Sequence, residues 1–273
     1  HYYTVLGWSG SKGSATKFTD EDHYWTMGKC LEIEPVIKKH IAIMDKYDPR
    51  KRIGLMVDEW GTWWDEEPGT IRGHLYQQNT MRDAFVASLS FDVFHKYVDR
   101  IKMTNIAQIA NVLQSMILTK DDKMVLTPTY HVFRMYNVHQ DATYLPLDLK
   151  CEREIVRDDR IVPMVSATAS RDANGVIHIS LSNVHLTESQ EIDINLDNFK
   201  VKSVTGEILT TKNFADSFSN RCKGVFHIEF ALWSAQVRAE NYFCIVIQQI
   251  FDGWQSSNDT FVVGDFAFLP RNV

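Results

Sequence analysis

Asp58 and Glu59 follow the apolar run Ile53-Gly54-Leu55-Met56-Val57, and three tryptophans, Trp60, Trp63 and Trp64, come directly after them. A carboxylate at the end of a buried strand can attack an anomeric carbon and form a glycosyl-enzyme that water later hydrolyses. Sugars present flat C–H faces that stack on aromatic rings, so tryptophans beside carboxylates point towards carbohydrate. Each observation also has a structural reading. Trp is a large residue that is buried on average, and a strand-end glutamate is often one half of an ion pair. On residue types alone both readings stay open.

Composition narrows the chemistry. The chain has 273 residues, 44% hydrophobic and 23% charged, with a formal net charge of -6. That is enough apolar material for about two ordinary domains or one large barrel. Mild acidity argues against nucleic acid or an anionic membrane as partner, because both want a basic face. A neutral substrate fits better. The cysteines, Cys30, Cys151, Cys222 and Cys244, have no CxxC or Cys/His spacing, so neither a zinc site nor a disulfide framework is expected. Their expected fate is burial as small hydrophobes. No apolar run is long enough to span a bilayer. The chain opens with His1 rather than Met, so we expect its natural N-terminus to lie upstream, and the compartment stays open.

The elements that would position Glu59 alternate in type. Ile33, Val36, Ile37, Ile41 and Met44 follow helical spacing with Pro35 in a first turn, and the helix should stop near Tyr47-Asp48-Pro49. The run 53–57 reads as a fully buried parallel strand. Met81, Phe85, Leu89, Val93 and Tyr97 recur at i+4, predicting an amphipathic helix. Ile101-Lys102-Met103 restarts a strand, and residues 109–118 read as another helix. This order implies βαβ units on a parallel sheet. Beyond about Tyr144 the pattern becomes alternating: Ile177-His178-Ile179-Ser180-Leu181 and Ile192-Asp193-Ile194-Asn195-Leu196, with the hairpin signal Asn174-Gly175 between two strand candidates. An antiparallel β-sandwich or jelly roll is expected there, with further strands in 225–233, 242–250 and 260–269.

Four ordered segments sharpen this reading: His1-Tyr2-Tyr3; Val57-Asp58-Glu59-Trp60-Gly61-Thr62-Trp63-Trp64; Asn105-Ile106-Ala107-Gln108-Ile109-Ala110-Asn111-Val112; and Thr127-Pro128-Thr129-Tyr130-His131-Val132-Phe133. Together they resemble the family-51 glycoside hydrolases, the α-L-arabinofuranosidases, over residues 1 to about 211. The resemblance implies a C-terminal portion of a (β/α)8 barrel over residues 1–143, then an antiparallel β-sandwich over 144–273. It implies Glu59 as catalytic nucleophile. His1 and Tyr3 would contact the nucleophile and the sugar, Trp63 would line the arabinose pocket, and Gln108 would hydrogen-bond the sugar. Tyr2 is the competing tyrosine, because strand residues alternate faces. A hydroxyl or imidazole next to Glu59 can orient its carboxylate, and an amide such as Gln108 can donate and accept towards ring hydroxyls. His40, His74, His95, His131, His139 and His185 read as surface or core residues. The family implies no metal or cofactor, an arabinose-containing oligo- or polysaccharide as partner, and a homo-oligomer.

Two departures accompany the resemblance. The family draws its acid/base glutamate from an Asn-Glu pair, and this chain contains no such pair. From about Phe214 onward the sequence leaves the family pattern, and Asn258-Asp259-Thr260 there fits the short glycosylation sequon. The expected activity is release of α-L-arabinofuranosyl residues with retention. The rivals are another barrel glycosidase, such as a β-xylosidase or endoglucanase, and a fragment that is inactive or only binds sugar.

Overall fold

The computed structural model of the chain describes residues 1–195, 201–211, 215, 225–230, 236–239, 243–251 and 261–264. They fall into two compact units. The first comprises His1–Val132, Ile155–Val162 and Asn213–Cys222, and the second Phe133–Glu154, Pro163–Lys212 and Lys223–Val273.

The first unit holds strands β1 (Tyr2–Thr4), β2 (Leu55–Thr62) and β3 (Ile101–Ile106), all parallel and in the order β1-β2-β3. Helices α1 (Asp20–Leu31) and α2 (Ile33–Tyr47) connect the first two strands, and α3 (Met81–His95) connects the second pair. Parallel neighbours require such crossovers. Both α1 and α3 begin with a reciprocal cap, Thr19 with Asp22 and Thr80 with Asp83, which satisfies backbone N–H groups that the first turn would otherwise orphan.

Three sequence expectations are corrected here. The run leading into β2 is not fully buried: Met56 is 46% exposed, and its partner in register on β3, Met103, is 48% exposed. Each of these two methionines thus keeps close to half of its surface open to solvent. Helix α3 is not amphipathic but buried nearly all round, including Arg82, Asp83, Ser88, Ser90 and Asp92; Asp83, Ser88 and Ser90 find hydrogen-bond partners inside the protein, and Arg82 stacks on two aromatic rings. The helix expected over 109–118 does not form. Asn111 and Leu113 adopt positive φ (59° and 53°), and Asn111 N–H donates to the Ile117 carbonyl at 3.0 Å while Gln114 N–H donates to Ala107 at 2.9 Å. The Asn111 side chain fixes this loop by exchanging two hydrogen bonds with Thr119, 2.6 and 2.7 Å long. Asparagine favours such local closures over a helix. The loop leads into the hairpin β4 (Ile117–Lys120) and β5 (Lys123–Leu126), then α4 (Pro128–Tyr136).

The second unit is mostly β. Its strands are β6 (Thr143–Leu145), β7 (Leu147–Leu149), β8 (Arg153–Val156), β9 (Arg160–Pro163), β10 (Val165–Arg171), β11 (Ile177–Asn183), β12 (Gln190–Asn195), β13 (Val201–Leu209), β14 (Val225–Phe230), β15 (Gln236–Ala239), β16 (Phe243–Phe251) and β17 (Phe261–Gly264), of which the residues of β8 and β9 are divided between the two units. Six strands run in the order β14-β13-β16-β11-β10-β6 and four in the order β15-β12-β17-β7. Val165, Ala169, Ile177 and Ile179 from the larger sheet share a core with Ile192 and Leu147 from the smaller. The pairing departs from the antiparallel expectation at β17 and β7, which are parallel.

The hairpin between β10 and β11 turns at Asn174-Gly175 as the dipeptide predicts. Asp172 Oδ1 accepts from Asn174 N–H at 2.8 Å and Val176 N–H at 2.9 Å, and Gly175 takes φ +83°. A positive φ at the last position of a three-residue loop is where glycine is needed. His139 is a core residue: its ring nitrogens lie 2.7 Å from Ser170 Oγ and 2.8 Å from Ser180 Oγ. The Asn258 sequon and the ends of the last three expected strands lie outside the described residues.

Candidate active site

The site is built where β1 lies beside β2. Parallel register sets Tyr2 opposite Trp60 and Tyr3 opposite Gly61, and alternate residues on a strand face opposite ways. The Tyr2 hydroxyl accordingly donates to the Lys29 carbonyl on α1 at 2.5 Å. The Tyr3 hydroxyl donates to Glu59 Oε2 at 3.2 Å, and His1 Nδ1 lies 3.0 Å from the same oxygen. Among the described residues Glu59 Oε1 accepts no hydrogen bond. Burial and the neighbouring Glu59 charge push the Tyr3 phenol up to about 12. It therefore stays a protonated donor at any ordinary pH. Glu59 sits fifth in an eight-residue strand rather than at its tip. The ladder with β3 slips between Val57 and Trp60, and the side chain remains 39% exposed.

The three tryptophans separate. Trp60 is buried with its ring against Phe91 and Phe94, centroids 5.5 and 5.4 Å away. Trp64 is buried with Nε1 donating to Asp83 Oδ1 at 2.9 Å. Only Trp63 joins the cluster, standing edge-on to Tyr3, the tyrosine that bonds Glu59, with ring centroids 5.4 Å apart. The structural reading of tryptophan holds for two of the three.

A buried polar frame fixes the end of β2. Asp83 Oδ1 accepts from Thr62 Oγ1 at 2.5 Å as well as from Trp64, and Oδ2 accepts from Thr80 N–H at 2.7 Å. Gln114 Oε1 accepts from Thr62 N–H at 2.8 Å, while its amide donates to the Asp83 carbonyl at 2.7 Å. Gly61 has φ +140°, and a Cβ there would stand 3.1 Å from Gln114 Oε1, so this close approach needs glycine. The Arg82 guanidinium is sandwiched 3.7 Å from the rings of both Phe18 and Trp64, and burial pulls its pKa down to about 10.

Gln108 does not join the cluster. It is exposed, its backbone N–H donates to Val112 at 3.2 Å, and its side-chain amide makes no hydrogen bond among the described residues. Sequence reasoning also missed Trp8, whose ring stands edge-on to Trp63 with centroids 6.2 Å apart. The available signal was a lone aromatic between Gly7 and Gly10, just past a strand end. Among the described residues no group of His, Cys, Asp or Glu is placed to hold a metal, and no helix is long and apolar enough to cross a membrane.

Residues 58–235 match the sequence profile described as the α-L-arabinofuranosidase C-terminal domain. An intracellular exo-α-L-arabinofuranosidase of Bacteroides ovatus is 74% identical over 216 residues, which are 79% of this chain and 42% of that protein. The crystal structure of the family-51 arabinofuranosidase from Xanthomonas axonopodis pv. citri superposes with a TM-score of 0.81 at 40% identity, covering 92% of this chain and 52% of that one. The arabinose complex of the Thermotoga maritima α-L-arabinofuranosidase shares the fold at 18% identity, with a TM-score of 0.66 over 85% of this chain and 51% of that one. The chain thus spans about half the length of the relatives it matches, and it belongs to the family-51 α-L-arabinofuranosidases, as part of their C-terminal region.

Proposed function

We propose that this chain supplies the nucleophile half of the active site of a retaining α-L-arabinofuranosidase acting on arabinan- or arabinoxylan-type glycans. One observation carries the reading: the Glu59 carboxylate is held at Oε2 by Tyr3 and His1, on a parallel strand flanked by Trp63. With Oε2 engaged, Oε1 is the oxygen that attacks the anomeric carbon. The C1–O bond to the leaving group breaks through an oxocarbenium-like transition state, and a second carboxyl group protonates the departing oxygen. Water then attacks C1 of the glycosyl-enzyme, the same second group now acting as base, and releases arabinose with its configuration retained. Tyr3 and His1 orient the nucleophile, Trp63 walls the sugar pocket, and Gln108, exposed in the loop after β3, turns its amide to a ring hydroxyl once sugar is bound.

On this reading the sheet β1-β2-β3 is the closing part of a (β/α)8 barrel spanning residues 1–143, and residues 144–273 form a jelly-roll-like sandwich. The family-wide tendency to homo-oligomers is carried over with it. The test joins this chain to the N-terminal part of the Bacteroides ovatus relative and assays arabino-oligosaccharides. Glu59→Ala should abolish turnover, and added azide should restore part of it while yielding an arabinosyl azide. Undiminished turnover in that variant would refute the assignment.

A further inference from the structure

Trp8 is 62% exposed. A single exposed aromatic needs no explanation by itself, but this one is held in place and aligned with the site. Residues 6–12 form a closed loop, with Leu6 N–H donating to the Lys12 carbonyl at 3.1 Å. The loop is pinned to the segment after β2: Lys12 N–H donates to Asp65 Oδ1 at 2.8 Å, Asp65 N–H donates to the Gly13 carbonyl at 2.9 Å, and Ser11 Oγ also bonds the Asp65 carboxylate. Gly13, at φ +96°, leaves no room for a Cβ, which would stand 2.5 Å from the Leu6 side chain. The indole is therefore presented from a fixed turn.

From that turn the contacts step inwards. Trp8 meets Trp63 at 6.2 Å between centroids, Trp63 meets Tyr3 at 5.4 Å, and Tyr3 bonds Glu59 at 3.2 Å. The Lys12 ammonium lies 5.0 Å from the Trp63 ring centroid, which places three N–H donors beside that indole. An apolar ring face next to a cationic donor suits a sugar, which offers C–H groups on its face and hydroxyls on its rim.

We infer that Trp8, with Lys12, forms a second sugar subsite that binds the ring next to the one attacked by Glu59. The inference rests on the proposed function and deepens it. If Glu59 attacks the terminal residue of a chain, nothing lies beyond that residue on its non-reducing side. A second ring in contact with the protein then belongs to the leaving portion, so Trp8 selects for oligosaccharide over simple arabinosides.

Two measurements test this. In the completed enzyme, Trp8→Ala should lower kcat/KM for arabinotriose by roughly 3- to 10-fold, the size of an aromatic stacking contact. Inhibition by free arabinose, which fills only the nucleophile pocket, should stay unchanged, and Trp8→Phe should recover most of the loss. An unchanged kcat/KM in Trp8→Ala would overturn the inference, as would a parallel weakening of arabinose inhibition. Calorimetric titration of the 273-residue chain itself gives a reading independent of turnover. Arabinotriose should bind more tightly than arabinose, and Trp8→Ala should erase the difference; equal binding of both sugars by the unaltered chain would overturn the subsite. Persistent turnover in Glu59→Ala would instead refute the nucleophile and leave this binding difference to be judged on its own.

Discussion

At Glu59, the Tyr3 hydroxyl and the His1 imidazole converge on one carboxylate oxygen, and among the described residues the other accepts no hydrogen bond. Removing a hydrogen bond to an ionised group typically costs about 1.5–3 kcal/mol, so Tyr3→Phe in the completed enzyme should lower kcat/KM on arabino-oligosaccharides by roughly 10- to 150-fold. Because the Tyr3 phenol is pushed up to about 12, it is protonated throughout the working range. The ratio of wild type to Tyr3→Phe should therefore be flat between about pH 5 and 9. A ratio that collapses within that window would show that the hydroxyl is not the group being lost. Glu59, Tyr3 and Trp63 were named on the family's spacing, since alternation alone left Tyr2 and Tyr3 competing, and it is the parallel register of β1 on β2 that sets the Tyr3 hydroxyl on Glu59. Sequence reasoning named Gln108 and passed over Gln114, which holds the end of β2. Both are glutamines in one irregular loop, and only its tertiary closure turns Gln114 inwards while Gln108 stays exposed.

The strands and helices were readable to the extent that their residues repeat. α2 runs Ile33–Tyr47 with Pro35 in its first turn, as spacing and the Asp48-Pro49 stop predict. The loop at 109–118 defeats the same reasoning, because its apolar residues pack from positive-φ turns that no periodicity encodes. What the pattern could not convey is how β2 is anchored at its two ends. At the far end, Asp83→Ala would strand the Thr62 hydroxyl, the Trp64 indole N–H and the Thr80 N–H inside the protein. Each unsatisfied buried donor costs about 1–3 kcal/mol, so we expect a loss of about 3–5 kcal/mol, read by urea unfolding. A loss below about 1 kcal/mol would mean that water replaces the carboxylate. At the near end, Ile53 N–H at 2.8 Å, then Arg100 at 3.0 Å and Arg52 at 3.4 Å, hold the Asp48 carboxyl below the usual carboxylate range. A depressed pKa contributes stability that is present above the unfolded-state value of about 3.9 and is lost as pH falls through the folded value beneath it. Thermal melts should thus lose stability below about pH 4, and Asp48→Asn should flatten that acid limb while lowering stability at neutral pH. An identical acid limb in both proteins would assign the effect elsewhere.

For the whole molecule, the three-stranded sheet is the telling feature. β1 and β3 are its edges, and the facing pair Met56 and Met103 is close to half exposed. Parallel sheets are ordinarily covered on both faces, and open edges with apolar faces invite pairing or aggregation. The same sheet carries Glu59, the proposed nucleophile, so on that reading covering it and completing the active site are one requirement. A retaining glycosidase needs a second carboxyl group about 5–5.5 Å from the first. The partners that Glu59 has here are Tyr3 and His1, and the chain contains no Asn-Glu pair to match the family's acid/base. General acid catalysis is worth roughly 10²–10⁴ in rate. We therefore expect the purified 273-residue chain to show no measurable turnover of arabino-oligosaccharides. An activated aryl arabinofuranoside needs little help to depart, and should slowly load Glu59, seen by mass spectrometry as one pentosyl unit on the peptide carrying that residue. Adding the N-terminal part of the Bacteroides ovatus relative as a separate polypeptide should bury Met56 and Met103 and restore hydrolysis of the natural substrate. Both effects should saturate at the same ratio of the two chains. Full turnover by the unaccompanied chain would mean that another carboxyl group within it serves as acid, and saturation at different ratios would separate the covering of the sheet from the completion of the site.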